Sequence, residues 1–191
     1  GIRPDAGQHF PGRDAFVFVD QNDQLRFPPQ AGSALSASEV QTLLDQALAI
    51  ANRARAQIRR PLGSQARVTI SVVDTDGSNL GLARTRDAPV FGADVSLQKA
   101  RTAVLFSSTD AADFIDNQPN TQYLTASLMP SSQVVLADYV NNVIQLTGDA
   151  NALRNGIAFA DRSGGNLSRP FFPDGRDASG PGPLSKPAGE W

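Results

Sequence analysis

Val68-Thr69-Ile70-Ser71-Val72-Val73-Asp74-Thr75-Asp76-Gly77-Ser78-Asn79-Leu80-Gly81-Leu82-Ala83 is the stretch on which the fold turns. Val68, Ile70, Val72 and Val73 are β-branched and suit a pleated strand. Asp74 to Gly77 carries turn chemistry, and Leu80 to Ala83 returns as a second strand. A helix is expected just before this hairpin. Ser36-Ala37-Ser38-Glu39 has the spacing of a capping box, and Val40, Leu43, Leu44, Ala47, Leu48, Ala51, Ala54 and Ile58 then recur at helical intervals. Arg53, Arg55, Arg59 and Arg60 crowd its C-terminal half, where cations complement the helix dipole, and Pro61 and Gly63 stop it.

Working outward, residues Gly1 to Gly12 are polar and punctuated by Pro and Gly, and read as an arm. Phe16 to Val19, Asp20 to Asp23 and Leu25 to Phe27 read as strand, turn and strand, stopped by Pro28-Pro29. Beyond the central hairpin, a loop through Pro89 and Gly92 leads to a second helix. Its Val95, Leu97, Ala100, Ala103, Val104 and Phe106 make it apolar on more than one side. A third helix is expected from Ser131 to Leu146, closed by Gly148-Asp149. From Ser163 onward Gly, Pro, Ser, Asp and Arg dominate and periodic apolar spacing disappears. The expected organisation is an arm and hairpin over 1–34, the main domain over 35–160, and an irregular docking tail over 161–191 whose aromatic anchors would be Phe171, Phe172 and Trp191.

Composition narrows the function. The 191 residues are 40% hydrophobic, enough for a core without metal or disulfide staples. A formal charge of −2 and the lack of a Lys/Arg run disfavour nucleic acid as a partner, since phosphate neutralisation needs clustered cations. With no cysteine, thiolate metal sites and a Cys nucleophile are excluded. No apolar run approaches the roughly 20 residues that span a bilayer.

Three segments, in this order and spacing, carry a resemblance: Ser71-Val72-Val73-Asp74-Thr75-Asp76-Gly77, then Arg84-Thr85-Arg86-Asp87-Ala88-Pro89, then Gln98-Lys99-Ala100-Arg101-Thr102-Ala103. They resemble the VVD-x-x-G hairpin, the R-M-D-G-A-P-like loop and the KA-R-TA helix of the GlcG/HbpS-like haem-degrading-domain family, over about Ser38 to Phe106. The resemblance implies an α+β fold, an antiparallel sheet covered by helices in a profilin- or PAS-like two-layer arrangement, with oligomeric assembly and links to haem or corrinoid chemistry. The block from Gly156 to Arg162, with Gly165 to Pro170 and Pro173 to Gly175, is similar to a longer, exported-type branch, which favours a periplasmic or extracellular location. The family's usual ending, a proline-led strand, a glycine-rich hairpin and a final helix, is not met before Trp191. The expectation is therefore that a symmetry mate or second polypeptide completes the sheet, since an open edge invites pairing.

The residues weighed for a site are few. Arg84, Arg86 and Asp87, with Lys99, Arg101 and Thr102 beyond them, form the candidate ligand set, because the guanidinium fork suits carboxylates such as haem propionates or small organic acids. The alternative is an ion-pair set clipping loop to helix, with Asp87 pairing Arg84 or Lys99. Haem is the cofactor the resemblance implies. For an axial ligand the chain offers His9, Met129, Tyr123 and Tyr139, and His9 is the candidate taken forward. Asp74 to Asn79 and Asp20 to Asp23 read as turns rather than calcium loops, and no metal site is assigned. A Ser–His–Asp triad would have to use His9 as its base, and no G-x-S-x-G elbow occurs. The favoured function is a ligand-binding or assembly module. The alternatives are part of a haem- or cofactor-modifying enzyme, or an accessory subunit of a larger redox complex.

Overall fold

The computed structural model describes residues 1–55, 60–117, 122–124 and 133–157, and the chain divides into two units, Gly1–Ala100 and Arg101–Trp191. The architecture is α+β: a four-stranded antiparallel sheet, a two-stranded one and four helices among the described residues.

In the first unit the strands are β1 (Ile2–Pro4), β2 (Ala15–Phe18), β3 (Thr69–Val73) and β4 (Asn79–Thr85), in the order β1-β2-β4-β3. The central hairpin forms as its β-branched pattern requires, with Thr69 opposite Arg84, Ile70 opposite Ala83 and Val72 opposite Gly81. The Gly77 N–H closes the turn on the Asp74 carbonyl at 2.9 Å. Helix α1 (Ala37–Arg53) is held at its start by the capping box: Glu39 N–H donates to Ser36 Oγ at 3.3 Å, and Ser36 N–H donates to the Glu39 carboxylate at 2.8 Å. Its buried residues Val40, Leu44, Leu48 and Ala51 lie at three- and four-residue intervals, which is one helical stripe. They meet Phe10, Ala15, Val17, Val19, Leu80 and Ala83 in one core, with Ile70 and Val72 at its margin. A Cβ at position 81 would lie 3.1 Å from Leu44 and 3.2 Å from Val40, so the glycine lets α1 sit close on β4.

Three expectations change in this unit. The N-terminal arm is β1 followed by a turn, and Phe10 within it is buried against α1. The signal missed was that a single strand can supply pairing without periodicity long enough to read. The strand expected at Leu25 to Phe27 reduces to one bridge, Val19 to Leu25. The chain instead continues along β4, with Phe27 accepting from Leu82 N–H and Gln30 donating to Leu80. Pro28 and Pro29 have no N–H for a regular ladder. Helix α1 ends at Arg53 because Arg55 turns back and donates to the carbonyls of Asn52 and Arg53 at 2.9 Å and of Ala54 at 3.3 Å. Ile58 and Arg59 lie outside the described residues.

Helix α2 (Gly92–Phe106) runs through the division between the units, and only Thr102 and Phe106 on it are fully buried, so its expected all-round apolar burial does not hold. The second unit adds α3 (Ala111–Asp116), β5 (Gln122–Leu124), β6 (Gln133–Val135) and α4 (Leu136–Thr147). The helix expected from Ser131 thus begins at Leu136, because the β-branched pair Val134-Val135 joins β6 against β5. Phe106, Ala111, Ala112, Ile115, Tyr139, Val140, Val143, Ala152 and Leu153 form the core of this unit. The rings of Phe106 and Tyr139 sit 5.7 Å apart. The tail at 161–191, with Phe171, Phe172 and Trp191, lies outside the described residues, as does Met129.

Candidate functional site

Strand β4 places Arg84 two residues after Leu82, on the face opposite the one that Gly81 and Ala83 turn toward α1. The residue is only 4% exposed. Its guanidinium lies over the Phe18 ring, 5.4 Å from the centroid, and Nη2 donates to the Ala88 carbonyl. Nε and Nη1 are buried and have no partner. Burial pushes the Arg84 pKa down, against a weaker pull from Asp87. Across the hairpin Thr69, its direct neighbour in register, carries a buried hydroxyl that is likewise unpartnered.

Arg86 has a different task. Its Nε and Nη2 both donate to the Asp14 carboxylate at 3.0 Å, and its guanidinium covers Phe16 at 5.3 Å. Gln65 donates to the same carboxylate at 2.7 Å. The hydrogen bond from Arg86 holds the Asp14 carboxyl below its ordinary range, with Gln65 adding to it against partial burial. Asp87 is exposed, takes φ of +57°, and makes no salt bridge among the described residues. The clip expected from Asp87 to Arg84 or Lys99 is thus replaced by one from Arg86 to Asp14, a residue far away in sequence. Thr85, fully buried, fastens the hairpin from its other end by donating to Ala66 O at 2.7 Å and accepting from Val68 N–H at 3.0 Å. Lys99 is exposed on α2, Arg101 is half-buried and Thr102 is buried.

His9 sits on the turn after β1 and is built more firmly than a solvated arm would be. Asp5, with its side chain 1% exposed, accepts from His9 Nδ1 at 2.7 Å, from Phe10 N–H at 2.9 Å and from His9 N–H at 3.1 Å. Burial opposes ionisation of Asp5, but these donors outweigh it and hold its carboxyl below the ordinary range. Gln41 of α1 donates to the His9 carbonyl at 2.8 Å. A carboxylate on Nδ1 is the usual outer partner of a histidine that ligates through Nε2. The donor chemistry at His9 therefore fits haem iron. Tyr139 belongs to the core of the second unit. The structure does not bring His9 and Arg84 together: the first is pinned to α1, and the second leaves the opposite face of the sheet.

A family model described as haem degrading protein, HbpS-like, matches residues 43–145, more than half of the 191 residues. The chain belongs to this family. No curated protein and no solved structure matches it significantly. In this HbpS-like chain Asp87 stands where the R-M-D-G-A-P-like loop has glycine, and its left-handed φ explains the motif. Aspartate is among the few side chains that tolerate that conformation. Sequence reasoning found Arg84 but missed Thr69 and Phe18 beside it and Asp14 on Arg86, because only the pairing of β2 and β3 with β4 brings them there.

Proposed function

We propose that this HbpS-like chain is a ligand-binding and assembly module, not a self-sufficient enzyme, and that its ligand presents an acidic group to the corner between β4 and α2. Arg84 carries the reading: it is a buried cation with no carboxylate on it and with N–H donors free. A charge held in that state is stabilised by an anion. Haem suits the corner through its propionates, and since His9 and Arg84 of one chain lie apart, the His9 that would take its iron is that of a neighbouring copy. Bound haem would supply the iron chemistry that the family description names. Titration with haemin tests this. The expected result is a saturable Soret shift, weakened at least about tenfold by Arg84→Gln and altered in band position by His9→Ala. An unchanged Soret band at excess protein overturns it. Loss of the band under reductant would replace the binding module by the alternative, a haem-modifying enzyme.

A second feature supports assembly. β3 has β4 on one side and no strand on the other among the described residues. We infer that another chain, a second copy or a distinct polypeptide such as a redox-complex subunit, adds a strand there. The native mass of the assembly checks it: a multimer or hetero-complex is expected, and a monodisperse monomer at working concentration overturns it.

A further inference from the structure

Three buried side-chain polar atoms among the described residues have no hydrogen-bond partner: Thr69 Oγ1, Arg84 Nε and Arg84 Nη1. All three belong to one cross-strand pair, since Thr69 stands directly opposite Arg84 in the β3–β4 register. Buried polar groups are almost always satisfied, and directly opposed residues have their Cβ atoms only about 5 Å apart. Two independent residues leaving donors empty at the same spot point to a ligand that fills both. Arg84 is 4% exposed, so bulk solvent does not serve it.

We propose that Thr69 and Arg84 form a receptor for a single carboxylate group of a small organic acid. This deepens the acidic-ligand reading above and rests on it. One carboxylate oxygen accepts from the Arg84 guanidinium and the other from the Thr69 hydroxyl. Charge selects the class. Arg86 is committed to Asp14 and Arg13 to Asp45, at 2.7–3.0 Å, so neither adds a free cation to the corner. A group of charge −1 matches the single charge of Arg84, whereas a phosphate dianion brings an excess of negative charge that Asp87, acting on Arg84 through space, opposes. A Cβ at Gly92 would lie 3.2 Å from Thr69 Oγ1, so the first residue of α2 closes one side of the hydroxyl. The Phe18 ring beneath the guanidinium holds the cation in place without using any of its N–H donors.

The test follows the Arg84 Nε–H resonance by heteronuclear NMR, assigned by its loss in Arg84→Lys, during titration with sodium benzoate and, separately, inorganic phosphate. Benzoate is expected to shift the signal saturably and phosphate to leave it in place. Thr69→Val, which keeps shape and removes the hydroxyl, is expected to weaken benzoate about tenfold, and Thr69→Ser to restore it. No benzoate shift, or equal affinity in Thr69→Val, overturns the proposal, as does phosphate binding as tightly as benzoate. Haemin binding that depends on Arg84 while benzoate does nothing removes this pocket and leaves the broader reading standing. Failure of both ligands removes both.

Discussion

Asp5 shows how one side chain organises the start of the molecule. Its carboxylate is buried, and it gathers the N–H groups of His9 and Phe10 together with the His9 ring. Without it, two backbone donors in a turn that buries Phe10 would lose their acceptor. Because the folded pKa lies below the ordinary 3.8, the stability it contributes is present in full above that value and is lost as pH falls through the lowered one. Asp14, lowered by Arg86, acts with the same sign. Urea unfolding is therefore expected to show wild-type stability falling below about pH 4. Asp5→Asn is expected to cost roughly 1–3 kcal/mol at pH 7 and to show a shallower acid slope. A variant with the wild-type slope would mean that this carboxylate does not carry the effect. The sequence displayed Asp5, His9 and Arg84 as residue types. It did not display that Asp5 is buried or that Arg86 is taken by Asp14, because those facts depend on partners up to 72 positions away.

At the scale of elements, α1 and the β3–β4 hairpin were legible because their information is local. The capping box, the stripe Val40-Leu44-Leu48-Ala51 and the turn Asp74 to Gly77 are each satisfied within a few residues. Ser36→Ala removes the hydroxyl that accepts from Glu39 N–H and is expected to lower stability by about 1 kcal/mol while leaving the haemin titration unchanged. A cap lost without a fall in the chemical-denaturation midpoint would mean that packing alone fixes where the helix begins. The elements misread are those governed by other parts of the chain. β1 is only three residues long and exists because β2 pairs with it. α1 stops early because Arg55 caps its carbonyls. Val134 and Val135 fit either a helix or a strand by pattern, and pairing with β5 decides the matter.

At the scale of the molecule, the unmet hydrogen-bonding capacity of β3 and that of Arg84 lie on adjacent strands of one hairpin. If a neighbouring chain adds a strand to β3, the same amides should exchange slowly with solvent in the assembly and rapidly in any monomer obtained by dilution, which gives the native-mass measurement an internal check.

By itself the sequence determined the capped helix and the β-branched hairpin through periodicity and turn chemistry within a few tens of residues, and its resemblance to the family implied the α+β class and pointed to the loop bearing Arg84. Only the tertiary structure decided which arginine is committed and which is free, and that Thr69 faces Arg84 while Asp5 holds His9. Those outcomes depend on strand register and burial, which set a side chain's partners and its solvation and which local sequence does not specify.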